Sequence, residues 1–78
     1  MSVEGTIPAR LDLRGVPCPL NWARAKAKLE DMARGERLEL LVDDPRARAD
    51  IPRAAETEGY AVVGLAADDA AVRILIER

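Results

Sequence analysis

Apolar residues in this chain recur first at a spacing of two, then of three and four, then of two, then again as in a helix, and finally as two strand-like stretches. That order of periods limits the accessible folds more than any other feature, because each period fixes the kind of element that can bury its apolar face. "RLDLR" (10–14) sets Leu11 and Leu13 on one side and Arg10, Asp12 and Arg14 on the other, which predicts a short half-buried strand. From Pro19 or Leu20 to Arg34, Trp22, Ala25, Leu29, Met32 and Ala33 form one helical stripe opposite Arg24, Lys28 and Asp31. Gly35 is its natural C-terminal cap, with Arg34 suiting the negative end of the helix dipole.

"RLELLVD" (37–43) predicts a second strand with Leu38, Leu40 and Val42 inward. Leu41 is apolar too, which fits a central strand or one covered on part of its second face. In "DDPRARADIPRAAETEGY" a helix can start at Asp43 or Asp44 before Pro45, or at Asp50 before Ile51-Pro52. Proline is tolerated in a first turn and not in a helix interior, so the helix is placed at 51–58, ending at Gly59. "YAVVGL" (60–65) and "AVRILIER" (71–78) are strands joined by a turn through Asp68 and Asp69.

The order β-α-β-α-β-β predicts an α/β fold of the α+β two-layer type, a four-stranded mixed sheet with both helices on one face. The first two strands are expected to be parallel neighbours or near-neighbours joined by a right-handed crossover, and the last two to form a hairpin. Seventy-eight residues make a single domain, here 9–78 after a flexible leader over 1–8. With no Phe, one Trp and one Tyr, the core is thin, and a large enclosed cofactor pocket is not expected.

The reactive inventory is short. Histidine is absent, so imidazole cannot activate a nucleophile or bind a metal, and one cysteine excludes a four-cysteine zinc site or a CxxC dithiol. No glycine-rich phosphate loop occurs. The pairs Asp43-Asp44 and Asp68-Asp69 read as turn and cap residues. No cofactor and no metal are expected. A net charge of −2, few aromatics and no dense basic stripe argue against nucleic acid. No signal peptide and no membrane-length apolar run are apparent, and a lone cysteine forms no internal disulfide, so the expected compartment is the cytoplasm.

Cys18 remains. It stands between Pro17 and Pro19, after the turn permitted by Gly15, where the first strand gives way to the first helix. Unpaired N–H groups and the helix dipole at that position favour a thiolate, as do the nearby Arg14 and the more distant Arg10. Pro19 as the first helical residue makes Cys18 the N-cap; Asn21 is a competing cap. A buried, inert cysteine is the alternative reading.

"LDLRGVPCPL", followed by "LVDDPRARADIPRAAETEGYAVVG", resembles the TusA/SirA-like sulfur-carrier family over nearly the whole chain. The resemblance rests on a Cys-Pro-x-Pro motif opening the first helix and on an Asp-Asp-Pro…Asp-Ile-Pro segment leading into the second. The last motif position is Asn21, where the family usually has proline. The resemblance implies a two-layer α/β sandwich in which Cys18 accepts a sulfane sulfur as a persulfide and relays it to another protein. Arg14, Gly15, Pro17, Pro19 and Asn21 then support the carrier residue. The implied partners are a sulfur-donor protein, a cysteine desulfurase or rhodanese-type enzyme, and an acceptor in tRNA thiolation, cofactor biosynthesis or sulfur oxidation. Such a chain is a relay sulfurtransferase, not a stand-alone turnover enzyme. The competing functions are a protein-binding or regulatory module with an incidental thiol, and a redox sensor that borrows its resolving thiol from elsewhere.

Overall fold

Strand alternation, helical stripes and short turns together account for the architecture. The computed structural model describes residues 8–17, 19–67 and 71–78. Its elements are β1 (Ala9–Asp12), α1 (Leu20–Glu30), β2 (Arg37–Val42), α2 (Ala47–Thr57), β3 (Ala61–Ala67) and β4 (Val72–Glu77). The sheet order is β1-β2-β4-β3. β1 runs parallel to β2 with Leu11 opposite Leu40, and β4 runs antiparallel to both β2 and β3.

Leu38, Leu40 and Val42 of β2 and Ile74 and Ile76 of β4 are buried together with Ala25 and Leu29 of α1 and Ala47, Ile51 and Ala55 of α2. Both helices therefore cover one face of a mixed sheet, in agreement with the predicted sandwich. β2 is central, which explains the apolar Leu41: it is half-buried on the uncovered face between two neighbouring strands. Leu13, beyond the end of β1, is buried as expected, and its N–H extends the ladder to the Leu41 carbonyl at 2.8 Å.

Both helices depart from their predicted bounds. α1 ends at Glu30, not Arg34. Beyond it the backbone groups find partners outside the helix: Ala33 N–H donates to the Glu36 carboxylate at 2.7 Å, and the Arg78 guanidinium donates to the Met32 carbonyl. Gly35 belongs to this loop, where its N–H donates to the Arg78 carbonyl at 3.1 Å. Ala33 is consequently exposed, and the buried stripe of α1 is Asn21, Ala25 and Leu29.

α2 starts at Ala47, four residues before the predicted start, and carries Pro52 inside it. Ala47, Ile51 and Ala55 recur every fourth residue on the buried face, so packing holds the helix through a proline that leaves the Arg48 carbonyl without its i+4 donor. Asp44 sets the start, its carboxylate accepting from Arg46 N–H at 2.9 Å and its carbonyl from Ala47 N–H at 3.0 Å. Gly59, at φ +92°, ends the helix as predicted, with Tyr60 N–H closing back on the Ala55 carbonyl at 2.9 Å. The predicted turn at Asp68 and Asp69 and the leader up to residue 7 lie outside the described residues.

Candidate functional site at the start of the first helix

The segment between β1 and α1 turns at Gly15, whose φ of +80° is a left-handed conformation that a side chain would strain. Two bonds hold the turn: Val16 N–H to the Leu13 carbonyl at 3.0 Å, and Gly15 N–H to Asp43 Oδ1 at 3.0 Å. Asp43 lies 28 residues away, at the end of β2. The adjacent carboxylates of the Asp-Asp-Pro segment thus do separate jobs, Asp43 tethering this turn and Asp44 starting α2. The turn character of the pair was legible in the sequence. The partner of Asp43 was not, because only the parallel β1–β2 pairing brings the two loops together.

Cys18, the predicted carrier residue, lies outside the described residues. The residues around it are placed. Pro17 and Pro19 are exposed, and Pro19 occupies the N-cap of α1 with no side-chain capping bond. The predictions that Cys18 or Asn21 is the cap are both corrected: Leu20 is the first helical residue and Asn21 the second.

Several expected sources of anion stabilisation are already committed within the fold. Asn21 N–H donates to the Pro17 carbonyl and Ala23 N–H to the Pro19 carbonyl, each at 3.1 Å, while Trp22 N–H donates to Asn21 Oδ1 at 2.7 Å. These three first-turn donors are therefore engaged within the fold, while the positive end of the α1 dipole still favours an anion ahead of Leu20. Arg14 is turned back on Asp12, with Nε and Nη2 donating to the two carboxylate oxygens at 3.0 and 2.8 Å. These side-chain bonds, aided by Arg14 N–H on the same carboxylate, hold the Asp12 carboxyl at about 2, below its ordinary 3.8. The guanidinium is shifted upward by the same partner. Arg10 pairs with Glu39 at 3.0 Å. The positive charge expected beside the thiol is thus offset by carboxylates.

Asn21 is the position that sequence reasoning placed least well. Read as a cap or a surface motif residue, it is 1 % exposed and begins the buried stripe of α1. Its backbone N–H donates to the Pro17 carbonyl, a bond that a motif proline could not make. Among the described residues its Nδ2 has no hydrogen-bond partner. Asn21 also lines a surface cleft of about 450 Å³ between the helices, with Pro19 and Trp22 on one wall and Ile51 and Ala54 on the other. Trp22 is half-buried there and meets the Tyr60 ring edge-on at a centroid distance of 6.3 Å.

A family model for sulfurtransferase TusA matches residues 9–78. The chain belongs to the TusA family. Among relatives, it is 33 % identical to the candidate sulfur carrier protein YedF of Escherichia coli K12, over 88 % of this chain and 90 % of that one. A candidate sulfur carrier of Methanocaldococcus jannaschii is 36 % identical over 88 % of this chain and 92 % of its own. A candidate sulfur carrier of Archaeoglobus fulgidus is 42 % identical over 70 % of this chain, a match that spans 62 % of that relative's length. The crystal structure of a SirA-like protein from Desulfitobacterium hafniense superposes with a TM-score of 0.76 at 28 % identity, covering 88 % of this chain and 95 % of the other. The TusA fold and the predicted TusA/SirA-like membership are therefore both established. Among the described residues of this TusA-family chain, no helix is long and apolar enough to cross a membrane.

Proposed function

We propose that this chain is a cytoplasmic sulfur carrier that holds a sulfane sulfur as a persulfide on Cys18 and hands it to an acceptor protein. The observation that carries the reading is the TusA-family match over 9–78, with the Cys18-Pro19 pair immediately ahead of α1. In the loading step the Cys18 thiolate attacks the outer sulfur of a persulfide on a donor such as a cysteine desulfurase or rhodanese-type enzyme. The donor's sulfur–sulfur bond breaks and its inner sulfur leaves as a thiolate. The new bond joins Cys18 Sγ to the transferred sulfur, which keeps its oxidation level. In the unloading step an acceptor thiolate attacks that outer sulfur and Cys18 leaves as thiolate. Both steps are exchanges at sulfur and use no imidazole, metal or bound cofactor.

The α1 dipole favours an anion ahead of Leu20 by ~0.3–1 kcal/mol at an exposed site, a term small enough for cargo to be released. The Gly15–Asp43 bond supports the reading by fixing the loop that leads to Pro17 and Cys18. The testing experiment is intact-protein mass spectrometry after incubation with a cysteine desulfurase and cysteine. Wild type gains the mass of one sulfur atom, and Cys18→Ser gains nothing; equal gain by the variant overturns the reading.

A further inference from the structure

We propose that the cleft between the helices binds a free α-amino acid with an apolar side chain, its ammonium on Asp50 and its carboxylate on Arg53 and the Asn21 amide. At about 450 Å³, walled by apolar side chains with a few polar groups converging on it, the cleft has the make-up of a small-molecule site. Three charged residues line it, Asp50, Arg53 and Glu58. Glu58 is already committed to Lys26, whose Nζ lies 3.2 Å from its carboxylate in an ion pair that bridges α1 and α2. Asp50 and Arg53 are not. They stand three residues apart on α2, a spacing that permits an ion pair, yet among the described residues neither side chain has an ionic or hydrogen-bond partner. Asp50 is half-buried, so its carboxylate is partly withdrawn from water with no cation in return.

The occupant follows from these three groups. The Arg53 guanidinium and Asn21 Nδ2 only donate, and the Asp50 carboxylate only accepts. An anion alone would suit the first two and be repelled by Asp50, while a cation alone would leave Arg53 and the buried Nδ2 unmatched. A molecule carrying both charges on one carbon meets all three, because residues one helical turn apart lie close enough to receive them together. A residue within a peptide chain has given up both charges to amide bonds, so the free amino acid is the occupant. Its side chain then lies against Trp22 and Ala54, and a thioether suits the indole because sulfur is polarizable. Nδ2 is screened from water, so the carboxylate reaches it by displacing the half-buried Trp22 ring. Proline at position 21 would bring no such donor.

Fluorescence of Trp22, the chain's one tryptophan, tests the site with L-methionine as the probe. Wild type gives a saturable change. Methylthiobutanoate, which lacks the ammonium, and L-methioninol, which lacks the carboxylate, each bind about tenfold more weakly. Arg53→Gln and Asp50→Asn keep the circular dichroism spectrum of wild type and lose a similar factor toward methionine. In Asp50→Asn the gap between methionine and methylthiobutanoate closes, which a merely structural effect of the substitution would not produce. No saturable change with methionine, equal binding of methionine and its two analogues, or variants that bind methionine as wild type does, overturns the proposal.

Discussion

At the scale of single residues, the corner before α1 is organised by short hydrogen bonds that also consume its charges. Asp12 illustrates the balance. Arg14 lowers its carboxyl in the folded state to about 2 from 3.8, so the stabilisation from this group is fully present above the ordinary value and is lost as pH falls through that interval. Acid unfolding of wild type and Asp12→Asn, followed by tryptophan fluorescence, should show the wild type losing more stability between these two values, and added salt should narrow the difference, since the pair is exposed. Asn21 poses the opposite case, a buried amide whose Nδ2 has no partner among the described residues, at a cost of about 1–3 kcal/mol, offset by a backbone bond that proline would forfeit. The sequence did hold the sign, since Ala25 and Leu29 of the predicted stripe follow Asn21 at a spacing of four, but an asparagine just after Pro19 reads as a cap. Motif knowledge directed attention to the residue, but only the helix phase, set by Ala25 and Leu29, turned it inward.

The strands were read nearly in full from alternation, because a period of two leaves one way to bury Leu38, Leu40, Val42, Ile74 and Ile76. Helix ends were less legible. Local rules placed the end of α1 at Gly35 and excluded Pro52 from a helix interior, whereas the actual bounds depend on Arg78, distant in sequence, and on the Ala47–Ile51–Ala55 stripe. Tertiary contacts decide such boundaries, and a local reading does not contain them. The retained proline implies stored destabilisation in α2. Pro52→Ala restores the donor for the Arg48 carbonyl and should raise stability by about 1–3 kcal/mol in urea denaturation, the lower figure reflecting the entropy that proline removes from the unfolded chain. A destabilised Pro52→Ala variant would show that the half-buried pyrrolidine ring contributes packing that outweighs its helical cost.

For the molecule as a whole, the decisive property is a core confined to one side of the sheet. Aliphatic side chains fill it, with Leu40 fully buried on the central strand, opposite Leu11 on one side and Ile74 on the other. A domain this small buries a modest fraction of its surface and has little stability to spare. Leu40→Ala should cost about 2–5 kcal/mol, read as a lowered urea midpoint, enough to unfold much of the population near physiological temperature. The Asp43–Gly15 contact has a consequence of a different kind. Because one amide proton reports on the link between the corner preceding Pro17 and the rim of the sheet, the Gly15 resonance is an intrinsic gauge of that corner. A macromolecule that binds the neighbouring loop and disturbs this bond should shift that resonance.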